Sequence, residues 1–322
     1  MRRLLLWLLA AVLATLVAAP GRSQQWPQRP LRLIVPFPAG GLTDGIARLI
    51  GQRLSERLGQ AVVIENMGGA SGTIAARTVA RAPSDGYTLL VASLTQIAVV
   101  PALETVGYDP ARDFAPISNI ASTPFVLMVH PGVRATTLQE FVDHVRGAPG
   151  RITYGSAGIG SLAHLAMALL SKRAGLDMIH VPYKGGVAVM PDLMAGRLDS
   201  YFGNRTDAVP QIEAGTVRPL AVSGETRSAQ FPLVPTVAES GYPGFRVVTW
   251  NGLMAPRGTP PPILDRLAGE VQSALKEPGL LQALANFGAD PIGDTPQEFA
   301  ATIAAEIPLW AEAVRIAGAR AQ

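Results

Sequence analysis

The sequence contains no cysteine and few charges, since charged residues make up 16% of its 322 positions. Without cysteine the chain has no disulfide, no thiolate zinc site, no cysteine nucleophile and no lipidated cysteine anchor. Its four histidines lack the H-E-x-x-H spacing of zinc peptidases, which disfavours metal ligation. No Walker A motif or G-x-S-x-G nucleophile elbow occurs, and the run Gly155–Gly160 is not a G-x-G-x-x-G fingerprint. We therefore expect no cofactor and no bound metal, and nucleotide binding or hydrolase activity is disfavoured.

Long hydrophobic runs are also scarce. The run that approaches membrane-spanning length is Leu4–Ala19, which is short for a transmembrane helix and follows two arginines. This pattern predicts a cleavable secretory signal over residues 1–23, cut after Gly21 or Ser23, with an uncleaved anchor as the less favoured alternative. Without residues 1–23, Lys plus Arg falls from 27 to 24 and equals the 24 acidic residues. We therefore expect an exported, nearly neutral protein without the basic patch of a nucleic-acid binder.

A glycine turn joins the first predicted strand, Leu31–Val35, to a helix predicted over Ile46–Leu58. The turn Ala39–Gly41 allows another molecule to approach the backbone, and Thr43 or Asp44 is a candidate helix cap. Free amides and the positive end of the helix dipole point the same way here, so the stretch is a candidate anion site. An ordinary strand-to-helix connection is the alternative. Asp44 either caps or complements its helix or accepts a hydrogen bond from a ligand.

The same strand–loop–helix order recurs along the chain. Further strands are predicted at Ala61–Glu65, Thr88–Ala92, Phe114–Ile120, Pro124–Val129, Arg151–Tyr154, Leu198–Phe202 and Val217–Ser223, and near Ile179. Further helices are predicted at Thr73–Arg81, Thr137–Val145, Leu162–Ala174, Asp207–Ala214, Ile263–Leu275 and Thr295–Val314. After Ser223 the pattern indicates only turns and helices. Because open parallel sheets bind ligands at the carboxyl ends of their strands, the loops at those ends are candidate sites.

The loop Gly155–Ser161 repeats the architecture of the opening stretch. Thr136 or Thr137 is expected to cap the helix before this loop. Ser161 is expected to cap the helix that follows the loop, so His164 would lie in the first turn of that helix. A plain surface histidine is an equally good interpretation of His164 on spacing alone. The other histidines are expected to be structural or on the surface: His130, His144 and His180.

Seven segments of the chain stand out together: Leu33–Asp44, Glu65–Gly72, Asp85–Leu90, Tyr154–Ser161, His180–Gly185, Pro235–Glu239 and Trp250–Pro260. In these segments and in their order the chain resembles the Bug, or TctC-like, periplasmic solute-binding proteins of tripartite tricarboxylate transporters. The segments span almost the whole mature chain, and together they are highly specific. At Met67-Gly68 the family more often carries Arg-Pro, so the shape of the second loop is left open.

The resemblance implies an α/β, two-lobed periplasmic-binding-protein fold of the type II-like, Venus flytrap kind. One lobe would comprise residues 24–123 plus 225–322, and the other residues 124–224. The chain would cross the hinge near residues 122–124 and 223–226. The family captures a carboxylate between the first glycine loop and the Tyr154–Ser161 loop, using backbone amides, small hydroxyls and water.

The loops and the resemblance together predict a set of ligand-binding residues. They are Phe37, Ala39, Gly40, Gly41, Asp44, Ala70, Ser93, Thr95, Ser156, Ala157, Gly158, His164 and Asn204. Phe37, Ala39 and Gly41 would form one jaw, and the residues from Ser156 to His164 the other. The distal pocket would select among acids: Ala70, Ser93, Thr95 and Asn204.

The resemblance further implies a binding protein rather than an enzyme. Its ligand would be a small organic acid, which it would deliver from the periplasm to large and small membrane subunits of the TctA and TctB kind. A ligand-sensing subunit that contacts a sensor-kinase ectodomain is the first alternative, and a secreted hydrolase of small acids is the second. A monomer is the default state. The acid stays open among di- and tricarboxylates, acidic amino acids, and nicotinate-like and aromatic acids.

Overall fold

The computed structural model describes residues 26–183 and 185–319, so the predicted signal at residues 1–23 lies outside the described residues. The strands are β1 (Leu31–Val35), β2 (Val62–Asn66), β3 (Thr88–Ser93), β4 (Phe114–Val129), β5 (Thr153–Ser156), β6 (Ile179–Pro182), β7 (Ser200–Asn204), β8 (Arg218–Val222), β9 (Val248–Pro256) and β10 (Asp290–Pro291). The helices are α1 (Leu42–Leu58), α2 (Thr73–Ala80), α3 (Val100–Leu103), α4 (Leu138–Arg146), α5 (Leu162–Ala174), α6 (Met190–Met194), α7 (Arg205–Glu213), α8 (Pro261–Ala274), α9 (Pro278–Asn286) and α10 (Pro296–Ile316).

The strands form one mixed sheet with two halves. Its order is β2-β1-β3-β9-β4-β7-β5-β6, and β8 and β10 also pair with β4. Strands β1, β2 and β3 are mutually parallel in the first half, and β5, β6 and β7 in the second. Strand β9 lies antiparallel between β3 and β4. Each half therefore has a set of parallel strands whose carboxyl ends meet at one edge.

Strand β4 runs through both halves and corrects the prediction of two separate strands at Phe114–Ile120 and Pro124–Val129. Its first part pairs with β9 and β10, and its last part with β7 and β8. The register with β9 shifts between Pro116 and Ser118 and again between Asn119 and Ala121. Bulges of this kind accommodate proline and bend a strand, which is why the local pattern looked interrupted.

The prediction that no strand follows Ser223 was wrong, because β9 and β10 do. The sequence of β9, VTWNGLMAP, is buried along nearly its whole length. A strand that is covered on both faces lacks the alternation by which strands are recognised. Its partners, β3 and β4, are distant in the sequence, so nothing local indicates the pairing.

Two helix caps agree with the prediction. Ser161 accepts a hydrogen bond from the His164 amide at the start of α5, and Thr137 accepts one from Glu140 at the start of α4. Helix α5 also has the predicted bounds.

Helix α1 differs from its prediction, because it begins four residues earlier than expected. Its N-cap is Gly41, so neither Thr43 nor Asp44 is the cap, and both lie buried within the first turn. Because Gly41 has no side chain, the N-terminus of α1, which lies at the end of β1, has no side-chain cap.

The segments that pass between the two halves are hydrogen-bonded to one another. The Ser223 amide donates to the Phe125 carbonyl at 2.9 Å, and the Phe125 amide donates to Ser223 Oγ at 2.8 Å. The Val247 amide donates to the Ser223 carbonyl at 2.9 Å. Helix α10 covers β9 beside this point, where Phe299 makes an edge contact with the Trp250 ring at 5.1 Å. The segments that pass between the two halves are therefore joined by hydrogen bonds into one buried, bonded group.

Candidate functional site

Loops follow the carboxyl ends of the two sets of parallel strands. In the first half, Val35 at the end of β1 lies beside Asn66 at the end of β2. In the second half, Ser156 at the end of β5 lies beside Pro182 at the end of β6. These edges are where open α/β sheets bind ligands, so the loops after them form the candidate site.

The first loop, residues 36–41, leads from β1 to the uncapped helix α1. Ala39, Gly40 and Gly41 are exposed, and Phe37 is half-buried. The amides in the first turn of a helix have no partner within the helix, and the helix dipole is positive at this end. The first loop therefore presents a backbone suited to an anion.

Asp44 supports the first loop from within the protein. Its carboxylate accepts hydrogen bonds from the Gly40 amide at 2.8 Å, Arg48 Nε at 2.9 Å and Asn66 Nδ2 at 2.8 Å. Asn66 Nδ2 also donates to the Phe37 carbonyl at 3.0 Å. The hydrogen bond from Arg48 is the largest influence that lowers the pKa of Asp44 to about 2, against the opposing effect of burial. This arrangement fits the alternative in which Asp44 complements its helix.

A buried glutamine, Gln96, joins the loops that follow β2 and β3. Gln96 Oε1 accepts from Ser93 Oγ at 2.7 Å and from the Ser93 amide at 3.0 Å. Gln96 Nε2 donates to the Ser71 carbonyl at 2.9 Å. A Cβ on Gly72 would lie 2.4 Å from Gln96 Nε2, so the contact needs glycine there. Sequence reasoning missed Gln96; the available signal was a single amide within an apolar run.

The second loop, residues 157–161, leads from β5 into α5. Ser156, just before it, is fully buried. Its Oγ accepts from the Gly158 amide at 3.1 Å and lies 3.0 Å from the Gly158 carbonyl oxygen. Ala157 and Gly158 are half-buried, and Gly158 has a φ of +130°, which L side chains rarely adopt. The second loop thus folds back on the hydroxyl of Ser156.

His164 and His180 stack face to face behind the second loop. Their ring centroids lie 3.9 Å apart with 4° between the planes, and Tyr154 stacks on His180 at 4.9 Å. The Gly160 amide donates to His164 Nδ1 at 3.1 Å, and His180 Nε2 lies 2.7 Å from Ser156 Oγ. Burial, with a smaller effect of His180, lowers the pKa of His164 to about 4, and burial also lowers the pKa of His180. Both rings are therefore neutral at neutral pH.

The sequence predicts only a structural or surface role for His180, and so misses its place behind the second loop. His180 lies opposite Tyr154 in the pairing of β5 with β6. That register brings its ring to the start of the second loop. The only available signal was its position near the carboxyl end of a strand.

The residues expected to line the distal pocket differ in burial. Ala70 is exposed with a φ of +45°, and Thr95 is half-buried in a π-helical turn. Ser93 is 3% exposed, and its hydroxyl donates to Gln96. Asn204 is half-buried at the N-cap of α7 without a capping hydrogen bond. All four lie at or just beyond the carboxyl end of a strand.

Arg205, the residue after Asn204, ties α7 to the segment that precedes β10. Its Nε donates to the Gly288 carbonyl at 2.8 Å, and Nη2 donates to Asp290 Oδ1 at 2.9 Å. Its Nη1 donates to Ser228 Oγ at 3.1 Å. Arg205 is 3% exposed, and each of its three side-chain nitrogens donates a hydrogen bond within the protein. Its charge therefore stabilises the structure beside the site.

Two other kinds of site have no counterpart in the part of the chain that the structure describes. No helix there is both long and apolar enough to cross a membrane. No group of three or more metal-ligating side chains is found there either. The groups that the loops offer to an anion are backbone amides at the N-termini of α1 and α5.

Replacing Asp44 with alanine is expected to lower the free energy of unfolding by about 1–3 kcal/mol, because the Gly40 amide, Arg48 and Asn66 lose their shared acceptor. Urea denaturation at neutral pH measures the change. Asp265→Ala is the matched control, because Asp265 is exposed on α8. Equal stability of Asp44→Ala and Asp265→Ala would show that Asp44 does not support the first loop.

The fold and the loops define a two-lobed α/β solute-binding protein, and the chain is similar to known proteins of that class. BugT of Bordetella pertussis is 36% identical over 306 residues, which cover 94% of this chain and 94% of BugT. The structure of R. palustris Rpa4515 with adipate is 39% identical with a TM-score of 0.76, and the match covers 92% of this chain and 99% of that one. MatC (Rpa3494) from Rhodopseudomonas palustris with bound malate is 35% identical with a TM-score of 0.72, over 90% of this chain and 100% of that one.

The sequence model described as "Tripartite tricarboxylate transporter family receptor" matches residues 46–318, and the chain belongs to this TctC family. The family and the periplasmic-binding-protein fold were both predicted from the sequence, and both predictions are confirmed. TctC and Bug proteins are periplasmic solute-binding receptors. They bind small carboxylates, and they work with tripartite transporters.

Proposed function

We propose that this protein captures a small organic carboxylate between the first loop and the second loop. The observation that carries the proposal is that both loops lead into helix N-termini, those of α1 and α5, and neither loop contains a basic side chain. An anion recognised here would be held by the backbone. Adipate and malate, the ligands of the two related structures, are dicarboxylates and support this ligand class.

The energy available from the backbone is sufficient for useful affinity. Each helix dipole contributes about 0.3–1 kcal/mol, and each charge-assisted amide hydrogen bond about 1.5–3 kcal/mol before ordering costs. Micromolar affinity corresponds to about −8 kcal/mol, so a few such bonds suffice without a buried cation. Closure of the two lobes would exclude water and strengthen each bond.

The predicted site residues divide into contacts and supports. Phe37, Ala39 and Gly41 would contact the carboxylate from one side, and Ala157 and Gly158 from the other. Gly158 would do so through its Cα, because its amide and carbonyl are bonded to Ser156 Oγ. The supports form hydrogen bonds within the protein with their own polar atoms. They are Gly40, Asp44, Ser93, Ser156 and His164. Ala70, Thr95 and Asn204 would border the rest of the ligand and help to select among acids.

The proposed lobes are residues 24–123 with 225–322, and residues 124–224. The division is supported by strand pairing, because β1, β2, β3 and β10 pair only with one another, with β9 or with the first part of β4. Strands β5 to β8 pair with one another or with the last part of β4, and Val222 of β8 also forms an isolated bridge with Thr236 of the other proposed lobe. The hinge would be the bonded group at Phe125, Ser223 and Val247.

Export and delivery complete the proposal. The segment of residues 1–23 would be a cleaved signal, and the mature protein would act as a monomer in the periplasm. It would pass the acid to large and small integral membrane subunits like TctA and TctB. Binding without turnover is expected, and a sensor-kinase ectodomain is the alternative partner.

A thermal-shift screen tests the function. The purified protein is heated with short dicarboxylates, tricarboxylates, acidic amino acids and aromatic acids, each beside its uncharged amide. An acid at 100 times its dissociation constant should stabilise the protein by about 2.7 kcal/mol, and its amide should not. Folded protein that responds to no acid, or equally to acid and amide, would contradict the proposal. Conversion of an acid into a product would favour an enzyme instead.

A further inference from the structure

Two neutral imidazoles anchor two amides of the second loop. His164 Nδ1 accepts a hydrogen bond directly from the Gly160 amide, at 3.1 Å. His180 acts through Ser156, whose Oγ lies 2.7 Å from His180 Nε2 and accepts the Gly158 amide at 3.1 Å. The rings themselves are stacked 3.9 Å apart. The two anchored amides are thus fixed relative to each other by one rigid pair.

The hydrogen bonds limit where the proton of each ring lies. The Ser156 hydroxyl has two acceptors within reach, the Gly158 carbonyl at 3.0 Å and an unprotonated His180 Nε2 at 2.7 Å. When the hydroxyl donates to the carbonyl, Ser156 Oγ accepts from the Gly158 amide and from His180, and the inference uses this arrangement, in which His180 carries its proton on Nε2. His164 Nδ1 accepts from Gly160, so that ring also carries its proton on Nε2. A second proton on His164 would occupy Nδ1 and displace the Gly160 amide.

The surroundings of the pair keep it neutral. A groove of about 460 Å³ on the far side of His164 is lined by Tyr154, Lys172, Asp177 and the apolar Ile316, among others. Lys172 and Asp177 carry opposite charges, so neither sign dominates there. The low pKa of His164 follows from burial and from the facing ring.

We propose that His164 and His180 are positioning residues for ligand capture, which hold the Gly160 and Gly158 amides within the protein and so fix the shape of the second loop for the carboxylate. The inference rests on the proposed function, because it names what orients the loop of that same site. Preorganisation raises affinity because the loop does not have to be ordered when the ligand binds.

Crossed substitutions test the inference. An asparagine amide reaches the place of Nδ1 of histidine, and a glutamine amide reaches the place of Nε2. His164→Asn should therefore keep the acceptor for Gly160, whereas His164→Gln should lose it. His180→Gln should keep the donor for Ser156, whereas His180→Asn should lose it. A role in filling space alone would not favour opposite amides at the two positions.

The measurement is the dissociation constant of the acid found in the screen, by calorimetry at neutral pH. His164→Asn and His180→Gln should bind nearly as well as the unaltered protein. His164→Gln and His180→Asn should bind about tenfold more weakly, the cost of one lost hydrogen bond. The same order of affinities for Asn and Gln at both positions, or no loss in any variant, would overturn the inference.

Nitrogen NMR of the two side chains gives an independent readout that needs no ligand. Both imidazoles should show a neutral ring with the proton on Nε2 at neutral pH, and His164 should stay neutral down to about pH 5 because its pKa is lowered to about 4. A proton on Nδ1 of either ring would overturn the inference even if the affinities agreed. If the unaltered protein binds no acid while the NMR result holds, the proposed function fails and the assignment of the ring protons stands.

Discussion

Replacing Gly158 with aspartate is expected to abolish carboxylate binding. Gly158 has a φ of +130°, and a Cβ there would lie 3.4 Å from the Tyr183 carbonyl oxygen, so any side chain strains the second loop. The aspartate would also place a negative charge where the ligand's charge is proposed to lie. Two like charges about 4 Å apart repel by about 4 kcal/mol at an effective dielectric constant of 20, which is roughly a thousandfold in affinity.

Calorimetry with the acid from the screen measures the loss. Gly158→Ala separates the backbone strain from the charge and should bind with intermediate affinity. Gly215→Asp is the matched control, because Gly215 also has a positive φ, lies in the same proposed lobe and would leave a Cβ with no neighbouring atom within 4 Å. Undiminished binding by a folded Gly158→Asp variant would show that the carboxylate does not lie at the second loop.

Replacing Glu306 with alanine is expected to lower the free energy of unfolding by about 3 kcal/mol, near the lower end of the cost of breaking a buried ion pair. Glu306 is 5% exposed on α10, and its carboxylate accepts from Trp250 Nε1 at 2.6 Å and Arg246 Nη1 at 2.7 Å. The substitution leaves the fully buried indole N–H without a partner. Arg246 keeps a second partner, Glu225, at 3.0 Å, which limits the loss.

Urea denaturation at neutral pH measures this change. Glu312→Ala is the matched control on the same helix, since Glu312 and its partner Arg315 are largely exposed at 47% and 72%. Exposed pairs of this kind contribute about 0–1 kcal/mol. If Glu306→Ala and Glu312→Ala cost the same, the contact of α10 with β9 does not depend on the buried carboxylate.

Short-range features of this fold could be predicted from the sequence. A helix cap depends on residues three positions apart, so Ser161 and the bounds of α5 were predicted correctly. Of the two candidate caps Thr136 and Thr137, the structure selects Thr137. The glycine loops could be recognised as candidate anion sites for the same reason, because a strand, a glycine turn and a helix follow one another directly in the chain.

Long-range features could not be predicted. Strand β9 is buried on both faces and gains its partners from distant parts of the chain, so no local alternation indicates it. Gln96 and His180 look ordinary in sequence. Their importance comes from contacts with Ser71 and Ser156, which only the folded chain brings to them. Sequence reasoning therefore missed these two supporting side chains, whereas Asp44, Ser93, Ser156 and His164 were among the predicted site residues.

Capture of a carboxylate between the first loop and the second loop is tested most directly by a crystal structure of the protein with the acid identified in the screen. We expect the carboxylate within hydrogen-bonding distance of amides from both loops, with the stacked His164 and His180 behind the second one. An acid bound in the groove beside Lys172, or held by a basic side chain away from both loops, would contradict the proposed site.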